Sequence, residues 1–226
     1  MLVTVLGSGG ALPTQRRASS GYLVEWSGGA LLLDLAAGTY GRALKAGLDP
    51  RRLRAVALSH FHPDHTADLA GLFWGRRQAK IEEPLVVAGP PGTDALVARQ
   101  RAVYGDWLGI AHEVRAYPCA IAGLTVAAFP ARHSEEAVCL RVTADGKTLA
   151  YSGDTADCPG LREAAAGADL AILECSSREA KEGHMTPEDC EAVAAAARPR
   201  RVLLSHLGPD VSPRLPAAED GLVICV

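Results

Sequence analysis

Short apolar runs, each closed by glycine, proline or polar residues, alternate along this chain with stretches whose apolar residues recur every three or four positions. The runs Leu2 to Leu6, Ser20 to Trp26, Ala30 to Leu35, Leu53 to Leu58 and Leu85 to Ala88 read as strands. Leu124 to Pro130, Ala137 to Thr143, Thr148 to Ser152, Ala168 to Glu174 and Arg201 to Leu204 read the same way. Ser27-Gly28-Gly29 and Ala144-Asp145-Gly146-Lys147 are hairpin links. Helices are expected over Tyr40 to Ala46, stopped by Gly47, then Asp64 to about Gln78, Thr93 to Val103 and Leu161 to Ala166. A last helix opens with Thr186 at the cap and Pro187 in its first turn and runs to Ala197. Strands lead and helices follow in both halves, so an α/β protein with two sheets between helix layers is expected, a four-layer αββα sandwich. No linker, low-complexity tract or strong repeat breaks the pattern, and one domain over residues 1–226 follows.

Polar residues break this pattern most sharply at Ser59-His60-Phe61-His62-Pro63-Asp64-His65, directly after a buried strand. Pro63 keeps His62 out of helical geometry, so His60 and His62 are extended and point the same way. Pro63 then opens a helix whose positive N-terminus suits Asp64, with His65 beside it. A strand end thus hands two imidazoles to one ion and, one turn later, a carboxylate and an imidazole to a second. Nitrogen and oxygen donors without a thiolate suit zinc, manganese or iron better than a closed structural zinc site. Other strands end in His133, Asp154 and His206, and ligands gathered at strand ends are what a layered α/β fold offers. Asp34 also closes a strand; it either supports a metal-bound histidine from behind or caps the next helix. His112 has no such partners and reads as structural.

Composition narrows the classes. With 226 residues and a formal charge of −3, the chain can bury a large core and carries no global basic field for nucleic acid. The basic clusters Arg51-Arg52-Leu53-Arg54, Arg76-Arg77 and Arg198-Pro199-Arg200-Arg201 read as solvated surface. Cys119, Cys139, Cys158, Cys175, Cys190 and Cys225 form no Cys-x-x-Cys pair and read as reduced thiols, several of them buried. Met1 to Gly7 reads as a strand without a basic leader, and no apolar run nears the ~18 residues of a membrane span, so a cytoplasmic protein is expected. The loop Gly7-Ser8-Gly9-Gly10 is a tight turn or a phosphate cradle built from backbone amides; it fits no nucleotide-binding fingerprint.

The pattern His-x-His-x-Asp-His at residues 60–65, followed in order by His133, Ser152-Gly153-Asp154-Thr155 and Leu204-Ser205-His206-Leu207, resembles the signature of the metallo-β-lactamase fold superfamily of hydrolases. The resemblance covers most of the chain. It implies one divalent ion held by His60, His62 and His133, a second held by Asp64, His65 and His206, and Asp154 bridging them, with zinc first and manganese as the alternative. Two ions roughly 3.5–4 Å apart activate a shared water at neutral pH, so hydrolysis is the implied reaction, with Asp64 also orienting that water.

Leu173-Glu174-Cys175 and Gly183-His184-Met185-Thr186 resemble segments of the ribonuclease Z branch. There the histidine is implied to protonate the leaving oxygen or steady the phosphate, and the glutamate to orient the histidine, which makes Asp64, His184 and Glu174 the catalytic candidates. The long arm by which that branch grips transfer RNA, between the segments matching His133 and Asp154, is absent, since only residues 134–153 stand there. The Ser-x-Arg-Tyr sequence common after the last histidine is replaced by Leu207-Gly208-Pro209-Asp210. A small phosphodiester, a cyclic nucleotide or cyclic sugar phosphate, is therefore the expected substrate. Transfer RNA 3′ processing without the arm and thiolester or lactone hydrolysis are the alternatives; nucleic acid is not favoured, no membrane partner is expected, and a homodimer is left open.

Overall fold

The computed structural model describes residues 1–226. Strands β1 (Leu2–Gly7), β2 (Gly21–Trp26), β3 (Gly29–Leu33), β4 (Leu53–Ala57), β5 (Leu85–Gly89), β6 (His112–Ala116) and β13 (Val223–Cys225) form a seven-stranded sheet in the order β13-β1-β2-β3-β4-β5-β6. Strands β7 (Cys119–Ile121), β8 (Leu124–Pro130), β9 (Val138–Ala144), β10 (Lys147–Tyr151), β11 (Leu170–Glu174) and β12 (Val202–Ser205) form a six-stranded sheet in the order β12-β11-β10-β9-β8-β7. Both sheets are mixed: β3 to β6 run parallel, as do β10 to β12, and the remaining pairs are antiparallel.

The apolar runs are strands because period-two geometry lets them serve two cores at once. Leu31 and Leu33 of β3 face the core between the sheets, where Leu140 and Val142 of β9 and Ile172 of β11 meet them. Ala30 and Leu32 face outward to α1 (Thr39–Lys45), α3 (Leu69–Gln78) and α4 (Thr93–Tyr104) through Tyr40, Leu69, Leu72, Phe73 and Val97. On the far side Ala171 and Leu173 pack under α5 (Pro159–Ala165) and α6 (Pro187–Ala197). The expected αββα layering is therefore present, with each central strand covered on both faces.

The structure departs from expectation in three places. The helix expected over residues 64–78 is two: α2 (Pro63–Thr66) ends, and α3 restarts at Leu69. The break frees backbone groups that Leu35 takes up, its N–H donating to the His65 carbonyl (2.7 Å) and its carbonyl accepting from Asp68 N–H (3.0 Å). The Asp68 carboxylate accepts from Tyr40 N–H at 2.7 Å and so caps α1 from outside it. Arg76 is buried rather than solvated; its guanidinium donates to the carbonyls of Pro50, Leu53 and Glu83, which replace water. Of the two readings of the Gly7-Ser8-Gly9-Gly10 loop the tight turn is the one present, since the amides of Ser8, Gly9 and Gly10 are taken by Asp220, Ala18 and Leu207. Strands β6, β7 and β13 were not expected; as edge or near-edge strands they lack a continuous apolar run.

All six cysteines are free thiols, and no helix is long and apolar enough to cross a membrane. His112 opens β6, packs its ring 5.3 Å from that of Phe73 and places Nδ1 3.0 Å from the Ile110 carbonyl, consistent with a structural role.

Candidate metal centre

Strand ends deliver the polar residues to one edge of the sandwich. His60 follows β4 by three residues, and His62 keeps an extended backbone (φ −60°, ψ 149°) as Pro63 requires. The His60 and His62 rings lie 4.6 Å apart, centroid to centroid. His133 follows β8, Asp154 follows β10 and His206 follows β12, so four separate segments meet. Two groups result: His60, His62, His133 and Asp154, and Asp64, His65, Asp154 and His206, each offering ligand atoms within 4.8 Å of one another.

Asp154 belongs to both. Its Oδ1 stands 3.3 Å from His65 Nε2 and 3.2 Å from His206 Nδ1, while its Oδ2 stands 4.0 Å from His133 Nε2. Asp64 Oδ2 lies 3.4 Å from His65 Nε2 and 4.0 Å from His206 Nε2. His133 Nε2 and His62 Nδ1 are 3.2 Å apart. Donors around one tetrahedral zinc with bonds of about 2.0–2.1 Å stand about 3.3–3.4 Å from each other, close to these spacings.

Behind the ligands lies a buried hub at Asp34, on the left-handed backbone (φ 54°) that ends β3. Its carboxylate accepts from Ser59 N–H (2.8 Å), Ser59 Oγ (2.7 Å), Tyr151 Oη (2.6 Å) and His65 Nδ1 (2.7 Å). Because a carboxylate only accepts, Nδ1 of His65 carries a proton and Nε2 faces the cluster. His60 Nδ1 lies 3.0 Å from Ser59 Oγ, which already donates to Asp34, so His60 also turns Nε2 inward. Gly183 O at 3.1 Å from Nδ1 does the same for His133. Of the two roles open to Asp34, support of a histidine is the one its contacts fit. The supporting roles of Ser59, Tyr151 and Gly183 lie in contacts between segments distant in the chain, which no local spacing reveals.

The electrostatics suit a cation. Burial, reinforced by the charge of His65, depresses His60 to about 3 and leaves it a neutral donor. For Asp64, burial pushes upward, but the hydrogen bond and charge of His65 outweigh it and bring the carboxyl to about 2. Burial would likewise raise Asp154, yet His206 and His65 hold it well below the carboxylate range. His65 resists burial because Asp154 and Asp34 raise it well above the usual imidazole value. His60 Nε2, His65 Nε2 and Asp154 Oδ1 are buried without a hydrogen-bond partner, a costly arrangement that a metal ion relieves. The residues therefore fit a pair of divalent ions.

Glu174 and His184 border this cluster. Glu174, buried at the end of β11, accepts from Ser176 N–H (2.9 Å) and Thr155 N–H (3.3 Å) and holds His184 Nδ1 at 2.9 Å. His184 precedes the Thr186 cap of α6, which forms a capping box with Asp189. Its hydrogen bond to Glu174 raises its pKa, and its ring lies 5.0 Å from that of His133. Together with His62, Asp64, His133, Asp154 and His206 it lines a cavity of about 230 Å³. A larger apolar hollow beside Trp74, Tyr104 and Trp107 contains none of these groups.

A family model described as "Beta-lactamase superfamily domain" matches residues 32–207, a span that includes every residue of both groups as well as Asp34, Glu174 and His184. The chain belongs to the beta-lactamase superfamily. As a member it is a metal-dependent hydrolase. An uncharacterized protein of Mycobacterium tuberculosis (strain H37Rv) is 32% identical over 244 residues, covering 99% of this chain and 89% of that protein. A ribonuclease Z of Mycobacterium sp. (strain KMS) is 32% identical over 243 residues, covering 93% and 85%. In fold, the chain matches human tRNase Z, short form, with a TM-score of 0.85 at 24% identity over 100% of this chain and 99% of that one. It also matches a diphosphatase from the PhnP family, with a TM-score of 0.77 at 19% identity over 100% and 97%.

Proposed function

We propose that this superfamily member is a dinuclear phosphodiesterase acting on a small phosphodiester, a cyclic nucleotide or cyclic sugar phosphate. The observation that carries the reading is His184, held by Glu174 against a cavity of about 230 Å³ that also contains the ligand cluster. The pocket is on the scale of a small molecule rather than of a polymer groove. His60, His62 and His133 would hold one ion and Asp64, His65 and His206 the other, with Asp154 between them. Zinc is the first choice for this donor set and manganese the second. Once bound, such a pair supplies Lewis acidity and a water activated at neutral pH.

The chain's own groups supply the rest. Asp64 faces both the cluster and the cavity and orients the attacking water. His184 donates through Nδ1 to Glu174, so its Nε2 faces outward, and that hydrogen bond raises the pKa and favours a proton there. That proton passes to the departing oxygen. Glu174 touches no reacting atom; clamped by Ser176 and Thr155 amides, it fixes the tautomer and aim of His184. The test is turnover of bis(p-nitrophenyl) phosphate and cyclic nucleotides with added Zn²⁺ or Mn²⁺. His184→Ala is expected to lower kcat about 10²–10⁴-fold. Failure to cut any phosphodiester, or full activity of His184→Ala, overturns the reading.

Processing of transfer RNA is the second reading, supported by the relatives named ribonuclease Z. Against it, residues 134–153 contribute a β9–β10 hairpin that is integral to the second sheet and send out no arm. Cleavage of a precursor transfer RNA at low salt, read on a gel, decides between them.

A further inference from the structure

The loop between Glu174 and His184 carries more than a connection. Its ends are staked: Ser176 N–H donates to Glu174 Oε2 (2.9 Å), Ser177 N–H to the Met185 carbonyl (3.2 Å), and His184 N–H to the Lys181 carbonyl (3.2 Å). Gly208 presses on it so closely that a Cβ there would stand 2.2 Å from the Ser176 carbonyl. Two side chains of this loop line the same cavity as the ligand cluster, Ser176 and Lys181. Ser176 Oγ is buried without a hydrogen-bond partner. Lys181 forms no ion pair, its positive charge acts on His184, and it also lines the neighbouring hollow on the other side of that histidine. The carboxylates Asp64 and Asp154 would be neutralised by bound ions, and Lys181 lines the same cavity as a cation without an ion pair.

An unpaired ammonium and an unsatisfied hydroxyl, carried by two residues that line one cavity, are complementary to an anion with several acceptor oxygens, the buried hydroxyl reaching it on a turn of its side chain. We propose that Lys181 and Ser176 form an anion subsite that takes the phosphoryl oxygens turned away from the metal positions, so that the site prefers charged phosphodiesters over uncharged esters. The inference rests on the phosphodiesterase reading and deepens it. Both residues act as specificity determinants, through binding of the substrate's charge; the proton on the leaving oxygen still comes from His184. Lysine suits the task as a mobile point charge that can follow the phosphoryl group as its geometry changes, and its exposed position costs no buried charge when the cavity is empty.

Metal-loaded wild-type, Lys181→Gln, Lys181→Arg and Ser176→Ala proteins test this in two ways: steady-state hydrolysis of bis(p-nitrophenyl) phosphate against p-nitrophenyl acetate, and calorimetric binding of AMP, which needs no turnover. Lys181→Gln is expected to raise KM for the phosphodiester and Kd for AMP about tenfold, with the penalty on the phosphodiester exceeding that on the acetate by a similar factor. Lys181→Arg is expected to recover most of the loss, and Ser176→Ala to weaken AMP binding about threefold. Unchanged AMP binding in Lys181→Gln, or equal penalties on the two esters, overturns the subsite. If the wild-type protein cuts no phosphodiester yet Lys181→Gln weakens AMP binding, the subsite stands and the phosphodiesterase reading falls.

Discussion

The group formed by Asp64, His65, Asp154 and His206 is walled in more closely than the group formed by His60, His62, His133 and Asp154, although both border the cavity. None of the first four is exposed; His65 has no solvent contact and leans on Asp34, and His206 Nδ1 lies 3.0 Å from the buried Ser20 hydroxyl. In the second group His60 is equally enclosed, but His62 is exposed at the start of a one-turn helix and His133 is only half-buried, held by the carbonyl of a loop glycine. Ligands locked by packing and hydrogen bonds lose little freedom when they bind, and loop-held ones lose more. The walled-in position is therefore expected to take metal more tightly, and its neighbour to fill second and exchange faster.

Asp154 is the point where the comparison can be broken outright. With one oxygen turned to each group, Asp154→Ala removes a ligand from both. Metal content by elemental analysis is expected to fall below one ion per chain, with affinity down more than about 100-fold, beyond the 10–100-fold typical of supporting residues. Asp34→Ala should separate the positions instead. It strips four donors of their acceptor in a dry interior and leaves a non-glycine residue on left-handed backbone, so a loss of about 3–5 kcal/mol in unfolding free energy is expected. Affinity at the His65 position should drop about 10–100-fold, and less at its neighbour. Asp34→Asn tolerates the same backbone and should cost less.

Gly183→Ala is the complementary change. Gly183 has φ 77°, and an added Cβ would stand 2.8 Å from His133 Nδ1, so the substitution both strains the backbone, by about 1–2 kcal/mol, and pushes His133 aside. About tenfold weaker binding confined to the exposed position is expected, read by competition with a chromophoric chelator. Equal weakening at both positions would contradict the division drawn here.

What could be read in the chain, and what could not, follows the same division between local and distant causes. The imidazoles at 60, 62 and 65 announce themselves because a strand pattern, a proline and a helix start set their directions within one short segment. His133, Asp154 and His206 are readable because each closes an apolar run. Asp34 closes one too, but its value lies in Ser59 and Tyr151, which reach it from other strands, and so its role stayed open between support and capping. Arg76 reads as surface from its type; only the carbonyls of Pro50, Leu53 and Glu83, supplied by other segments, allow it to be buried. Helix periodicity likewise carries smoothly through residues 64–78 and says nothing of Leu35, whose backbone inserts at the break.

Protons offer the gentlest test of the two positions. In the metal-free protein Asp154 and Asp34 hold a proton on His65 against the effect of burial, well above the usual imidazole value. A raised pKa stabilises the fold fully below about pH 6.5, and that contribution fades as pH climbs through the raised value; the depressed Asp34 and Asp154 contribute above about pH 4 and lose it as pH falls through their own values. A cation at the walled-in position must expel the His65 proton, so its affinity should rise with pH through the raised value. At the open position His60 is already neutral, depressed to about 3 by burial, and burial lowers His133 as well. Binding there displaces no proton from His60, and its affinity should depend less steeply on pH. Calorimetry in two buffers of different ionisation enthalpy counts the protons directly. A larger release at the tighter step would identify the walled-in position as the one that fills first, and equal counts would show that the two are not distinguished by their surroundings.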